Sequence, residues 1–413
     1  MDKVSRMGRV AMMAGGLLLV LVSGCSQPNT APATALDGAP TGEQVDLTLE
    51  RAISMASVLH TYAWSNRLFP ENLALIEELQ PSLVGRAALV WGWEHLMLRS
   101  MNALTWRVTR IHAIAPEAVV QGCIFEFVSR DVERVKVPVE VQVAFGLEPE
   151  DRFYDLEAMI KPGQSQVESG VPDLSRLEAR LWFYHLATVY LDAGLEAIHL
   201  GQLERMAAHD PEMVETRALI ERIRSYAAQH ARRGWVMLDA HTHGIVHHKR
   251  LLLDFHSWPL RAVEVGEPEQ EDVVLEAGFY DSIYGRSLGG TTPDGRFVRH
   301  QRVLVELDNG YAGPSAGGCE LPECLWGRDE ITWFAHQSAE RRNEYLRYFW
   351  QRVPELDPVA RFQIPGVRPV QSLLANSCPR YMIHALDNDK CGGGQVETVG
   401  ELWGAAPEIA TRP

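Results

Sequence analysis

Several common signatures are missing from this 413-residue chain, and each absence narrows its chemistry. Basic charge is in short supply. The 39 Lys and Arg face 54 Asp and Glu, for a formal net charge of −15. Phosphate backbones are bound mainly through Lys and Arg, so this balance argues against nucleic acid as a partner. No P-loop is present: GGTTPDG (289–295) is a turn-rich loop and not a phosphate cradle. No internal repeat is visible. Cysteines number only six, and none forms the C-x-x-C pairs typical of structural zinc. What remains is ordinary globular composition, 46% hydrophobic and 23% charged.

The N-terminus is more specific. Lys3, Arg6 and Arg9 precede the apolar run Val10 to Val22, which is too short for a comfortable membrane span and reads as a signal peptide over 1–24. The following VSGC resembles a bacterial lipobox, which implies that Cys25 becomes the lipid-modified first residue. Cleavage there removes three basic groups and Asp2, taking the net charge from −15 to −17. Ser26 is similar to an outer-membrane retention signal. The expected location is therefore the cell envelope, lipid-anchored and facing the periplasm or the surface. Residues 25–45, rich in Pro, Ala, Thr and Gly, predict a flexible tether. Outside the cytoplasm the later cysteines are expected as disulfides, 319–324 and 378–391, although spacing alone leaves the pairing open. Cys123, inside an apolar run, is expected as a buried thiol.

Short apolar runs alternate with helical stretches. The runs are 54–64, 86–94, 119–128, 196–204, 234–243, 250–258, 302–309 and 330–337. Helices are expected over 175–193, over 338–353, and after Asp210-Pro211-Glu212, where Asp210 is placed to cap free amides. Near-continuous apolar runs suit parallel strands buried on both faces, and eight of them suit a (β/α)8 TIM-like barrel over 46–350. A turn-rich excursion at 259–301 is expected over the barrel mouth, with a disulfide-bearing C-terminal extension over 351–413. Only six residues separate the fifth run from the sixth, too few for a crossover helix.

One stretch raises a metal question. VMLDAHTHG (236–244) would place Asp239, His241 and His243 on one strand face, and it resembles the first strand of the amidohydrolases. That resemblance implies a zinc-type hydrolase. The family also carries a bridging lysine and further histidines on later strands, whereas the only lysines after Asp239 here are Lys249 and Lys390. The metal hydrolase therefore stands as the alternative.

The main expectation is a carbohydrate. Glycoside hydrolysis needs two carboxyl groups flanking the scissile bond. It also needs flat aromatic faces for the sugar ring and polar groups for its hydroxyls. Candidate strand ends supply Trp91, Glu126, Gln202, Asp239, His241, Asp254, His256, Asp308, Asn309 and Trp333 as substrate-binding residues. With Tyr62, Trp64, Trp93 and Trp258 nearby, this arrangement resembles the retaining barrel glycosidases, whose acid/base ends the fourth strand and whose nucleophile ends the seventh. The resemblance implies Glu204 in HLGQLE as the acid, with Glu126 and Asp239 as alternative acids, and Glu306 in VLVELDN as nucleophile or base, without a cofactor. The chain departs from that family in carrying Leu203-Glu204 where the family writes Asn-Glu. A non-catalytic glycan-binding surface lipoprotein is the third expectation.

Overall fold

The computed structural model describes residues 35–161, 168–309, 322–370, 380–384 and 392–404. The signal peptide and Cys25 lie outside the described residues, as do Cys319, Cys378 and Cys391, on which the two expected disulfides fall. Cys123 is a buried free thiol.

Eight strands form one nearly closed parallel barrel: β1 Ala52–Met55, β2 Leu83–Val90, β3 Val119–Ile124, β4 Ala197–His199, β5 Met237–Asp239, β6 His256–Pro259, β7 Val303–Glu306 and β8 Ala360–Pro369. They follow chain order around the ring, and β8 returns to pair with β1. The β5–β6 seam is joined by a parallel bridge from His241 to Ser257 and by the Ser257 amide donating to the Ala240 carbonyl at 3.0 Å. The expected barrel is present, with one strand corrected. Residues 330–337 are not a strand; they contain a helix, Glu330–His336. The eighth strand comes instead from residues expected in the C-terminal extension. Its Pro365 and Gly366 sit where the register with β1 shifts, a bulge that accommodates both.

Helices cover the outside between most strands: α1 Gly42–Glu50 before β1, α2 Ala63–Leu79, α3 Leu104–Ile114, α4 Leu177–Asp192, α5 Val214–His230 and α6 Ala339–Leu356. α1 starts within the stretch expected as tether, on a capping box between Thr41 and Gln44. Its Val45 and Leu49 plug the base of the barrel against Ala52, Leu83, Val119, Ala197, Met237, Phe255 and Leu304. α5 starts later than expected, with Met213 at its N-cap position, but Asp210 still serves its first turn, accepting the amides of Val214 and Thr216 at 2.9 and 2.8 Å. The short β5–β6 connection carries no helix. It holds a small antiparallel pair, Val246–His247 with Arg250–Leu251. The 259–301 excursion is only partly at the mouth. Its far end turns down to the base, where Asp294 accepts the Gly42 amide at 2.8 Å.

One tie across this excursion responds to pH. His300 contacts Asp357 at 2.7 Å and the Ser287 carbonyl at 2.6 Å. The Asp357 hydrogen bond, opposed by burial, raises the His300 pKa. A raised histidine contributes stability fully below its unfolded value of about 6.5 and loses it as pH rises through the folded value. Thermal unfolding should therefore fall off above neutrality by more in the wild type than in His300→Gln. Identical pH profiles for the two would refute the tie.

Candidate active site

Above the apolar base, the barrel interior is polar and charged. A register shift in β2 between Val84 and Ala88 puts Arg86 in the left-handed region, φ 57°, and its side chain turns inward. Glu306, ending β7, accepts Arg86 Nε at 2.9 Å and Arg86 Nη2, and Arg368 Nη1 of β8 at 2.6 Å. His241 Nε2 lies 3.1 Å from Oε1, the same oxygen that Arg86 Nη2 reaches. Burial by itself pushes the Glu306 carboxyl up. The two guanidinium groups and the His241 and Arg86 hydrogen bonds outweigh burial and hold it well below the usual carboxylate range.

A second knot lies beside the first. Asp239, only 1% exposed, accepts Gln121 Nε2 at 2.8 Å and Ser257 Oγ at 2.7 Å, and contacts His199 Nδ1 at 2.8 Å. Burial, opposed by Asp239, lowers the His199 pKa, so the imidazole is neutral near pH 7. Its ring packs edge-on to His241 at 4.9 Å.

His241, which touches both knots, also lines an open cleft of about 260 Å³ at the C-terminal end of the strands. Gln202, Glu204, Arg205, His241, Trp258, Pro259, Arg261, Asp281 and Asp308 line it. Gln202 and Glu204 do not share a strand face as expected. β4 ends at His199, and Glu204 lies on the helical turn Leu203–Met206, where the Thr242 hydroxyl donates to it. Trp258 backs onto His243, with ring centroids 4.3 Å apart. Arg261 is held by Asp281 at 2.5 Å. Underneath, the buried Glu330 accepts the amides of Leu260, Ala262 and Asp308 at 3.2, 3.1 and 3.1 Å. It thereby sets the loops after β6 and β7. Burial, opposed chiefly by Arg261, pushes its pKa up to about 7.

The expected residues divide clearly. Gln202, Glu204, His241 and Asp308 reach the cleft. Asn309 braces it, accepting Arg368 Nη2 at 2.7 Å. Glu126 is a brace as well: its carboxylate accepts the Gln202 amide at 2.9 Å. Glu306 lies beneath the cleft with its oxygens already engaged. Asp254 points outward instead, to Arg224 at 2.9 Å, and so does His256, whose Nδ1 meets Ser287 Oγ at 2.7 Å. Alternation along β6 explains the His256 direction, because Ser257 takes the inward position. Trp333 is fully buried in its helix against Tyr345, which makes it a core residue and not a sugar platform.

The Asp239, His241 and His243 set does not converge: Asp239 is committed to Gln121, Ser257 and His199, and His243 Nε2 contacts the Asp281 carbonyl at 2.9 Å. Among the described residues, the group whose ligating atoms do converge, within 4.8 Å, is His241, Glu306 and Asp308. Two guanidinium groups already hold its central carboxylate, so a cation would have to displace Arg86 or Arg368. The set fits a metal poorly.

Sequence reasoning missed Arg86, Arg368, His199, Gln121 and Ser257. A lone arginine inside GRAALV was the readable signal. It also passed over Gly285-Arg286-Ser287-Leu288-Gly289, a G-x-S-x-G string. Ser287 is buried among turns with no strand-to-helix elbow, so the string is not a nucleophile site.

Glu126 explains one glycine. Gly201 has φ +48°, and a Cβ there would lie 2.3 Å from Glu126 Oε2. Gly201→Ala should cost roughly 1–3 kcal/mol and displace Gln202. Gly146→Ala has a similar backbone, φ +72°, with open space around it, and provides the control. If the two variants melt alike and bind alike, the clash with Glu126 is immaterial.

No family model and no curated protein matches this chain. Among solved structures, a noncanonic maltogenic alpha-amylase from Thermotoga neapolitana is similar over 51% of this chain and 50% of its own, with 10% identity and a TM-score of 0.34. A GH36 alpha-galactosidase from Geobacillus stearothermophilus is similar over 47% of this chain and 28% of its own, with 14% identity and a TM-score of 0.28. The chain thus spans half or less of the length of these proteins. Its barrel is established by its own strand pairing, and its chemistry has to be argued from its own cleft.

Proposed function

We propose that this chain is a lipid-anchored cell-envelope protein, attached through Cys25, whose barrel hydrolyses a glycosidic bond. The observation that carries the reading is the joint lining of one cleft by Glu204, after β4, and Asp308, after β7, together with Trp258, Gln202 and His241. Two carboxyl groups facing a shared opening are what glycosidic cleavage requires. The indole offers a face for the apolar side of a sugar ring, and the amide and imidazole suit its hydroxyls.

Glu204, reached by the Thr242 hydroxyl, is assigned as proton donor to the leaving oxygen. Asp308, with Arg368 Nη2 at 3.9 Å, is assigned as the ionised partner. It either attacks the anomeric carbon or takes the proton of an attacking water. Glu306 takes a different part from the one expected of it. Saturated by its donors, it positions Arg86, Arg368 and His241 from below. The test is release of reducing ends from a panel of soluble glycans by wild type, Glu204→Gln and Asp308→Asn. Loss in both variants is the expected result, and full activity in both rejects the assignment.

A further inference from the structure

The same rim carries a second aromatic feature, and much of the local structure is devoted to it. Directly after β2 the chain reads Trp91-Gly92-Trp93-Glu94. Both indoles stand in solvent, 44% and 65% exposed. Single exposed apolar residues are ordinary, so what distinguishes this pair is the structure built behind it. Trp91 is braced from behind: it stacks on Phe127 at 5.6 Å with 10° between planes, and its edge meets Phe125 at 5.1 Å. Gly92 has φ +64°, and a Cβ would lie 2.7 Å from the Phe127 ring, so the turn needs glycine to hold that stack. Trp93 itself adopts φ 51°, a costly backbone for an aromatic residue.

That turn is clamped from below. Glu94 is fully buried and accepts both the amide and the hydroxyl of Ser129, at 2.8 and 2.6 Å. Ser129 Oγ in turn accepts the Trp93 amide at 3.0 Å. The platform is also tied to the cleft through buried side chains. Glu126, between Phe125 and Phe127 in the chain, holds the Gln202 amide. Ring contacts of 5.1, 5.7 and 4.9 Å lead from Trp91 through Phe125 and His199 to His241.

We propose that Trp91 and Trp93 form a distal sugar-binding subsite, so that the ligand of this barrel is a glycan chain spanning several rings from the cleft to the rim. The inference rests on the glycan reading of the cleft and deepens it. The flat face of Trp91, held by Phe125 and Phe127, and the neighbouring indole of Trp93 match the apolar faces of successive rings along such a chain. Trp91 and Trp93 follow β2 and do not line the cleft, which is built from residues at or after the ends of β4 to β7, so a ring seated in the cleft and a ring on the platform are different sugars of one chain.

The test reads binding, not turnover. The full chain carrying Glu204→Gln is run in affinity gels containing soluble starch, hydroxyethyl cellulose, galactomannan or xylan. Retardation by at least one polymer is expected, and adding Trp91→Ala or Trp93→Ala should weaken it by about tenfold. Binding of the matching disaccharide should not change. Trp91→Phe should retain part of the affinity, and unchanged thermal unfolding verifies that each variant is folded. Undiminished retardation of the Trp91→Ala, Trp93→Ala double variant overturns the proposal, and so does the absence of retardation by every polymer. Trp-dependent retardation without any hydrolysis by the wild type would leave this subsite standing and remove only the hydrolytic reading.

Discussion

Replacing Glu306 by alanine should destabilise the barrel by about 3–5 kcal/mol, a large fraction of the margin of an ordinary domain. The residue is 3% exposed and is the shared acceptor of two arginines that are themselves buried, Arg86 at 9% and Arg368 at 1%. Removing it leaves two guanidinium charges inside a ring of strands with one carboxylate fewer to balance them. The cost arises from the unpaired charges more than from the lost attraction. Exchanging Glu306, Arg86 and Arg368 together for Leu, Met and Met should therefore recover most of the loss. The pH dependence has a definite sign. A depressed carboxyl contributes stability above its unfolded value, about 4.3, and loses it as pH falls through the lower folded value. Urea unfolding at pH 7 and at pH 3 should show the wild type and Glu306→Ala differing strongly at the first and converging toward the second. A difference below about 1 kcal/mol at pH 7 would mean the cluster is a bystander.

Glu204→Gln and Asp308→Asn should each lower glycan turnover by about 10²–10⁴-fold, with folding intact. Both side chains line the open cleft; Glu204 makes no contact with the buried ionic cluster, and Asp308 meets it only at 3.9 Å from Arg368, so exchanging either carboxylate for its amide leaves the packing alone. The amide introduced by Glu204→Gln could still bond to Thr242 but could not deliver a proton. A KM-against-kcat split separates chemistry from binding: loss confined to kcat identifies a group acting in the transition state, whereas loss confined to KM reassigns it to ground-state binding. Gln202→Ala provides the contrast, since a binding amide should raise KM first. Equal losses in kcat for Gln202→Ala and Glu204→Gln would undo the distinction drawn between them.

Most of the barrel was legible because periodicity is local. Runs such as VVQGCIFEFV and RVLVELDN have the near-continuous apolar character of strands covered on both faces, and β3 and β7 lie within them. Asp210 announced α5 for an equally local reason, since a capping carboxylate serves amides a few residues away. The misreading at the eighth position also has a local cause. In the helix Glu330–His336, residues 330–335 are all buried, so no polar face betrays its helical period. The true strand, ARFQIPGVRP, carries Pro365 and Gly366, which count against a strand until the bulge opposite β1 is seen.

The site divides the same way. The sequence by itself determined that acidic, amide and aromatic residues follow the strands, which is enough to mark one end of the barrel as the chemical end. It could not say which carboxylate would be open and which locked. Glu306 and Arg86 are 220 residues apart, and Asp239 and Gln121 are 118 apart. Those pairings depend on ring closure, on a bulge in β2 that turns Arg86 inward, and on a strand that only the fold reveals. Side-chain alternation is set within one strand, but what a side chain meets across the barrel is set by the register of all eight. The tertiary structure therefore decided that Glu306 is sealed beneath the floor while Asp308, two residues later, faces the cleft.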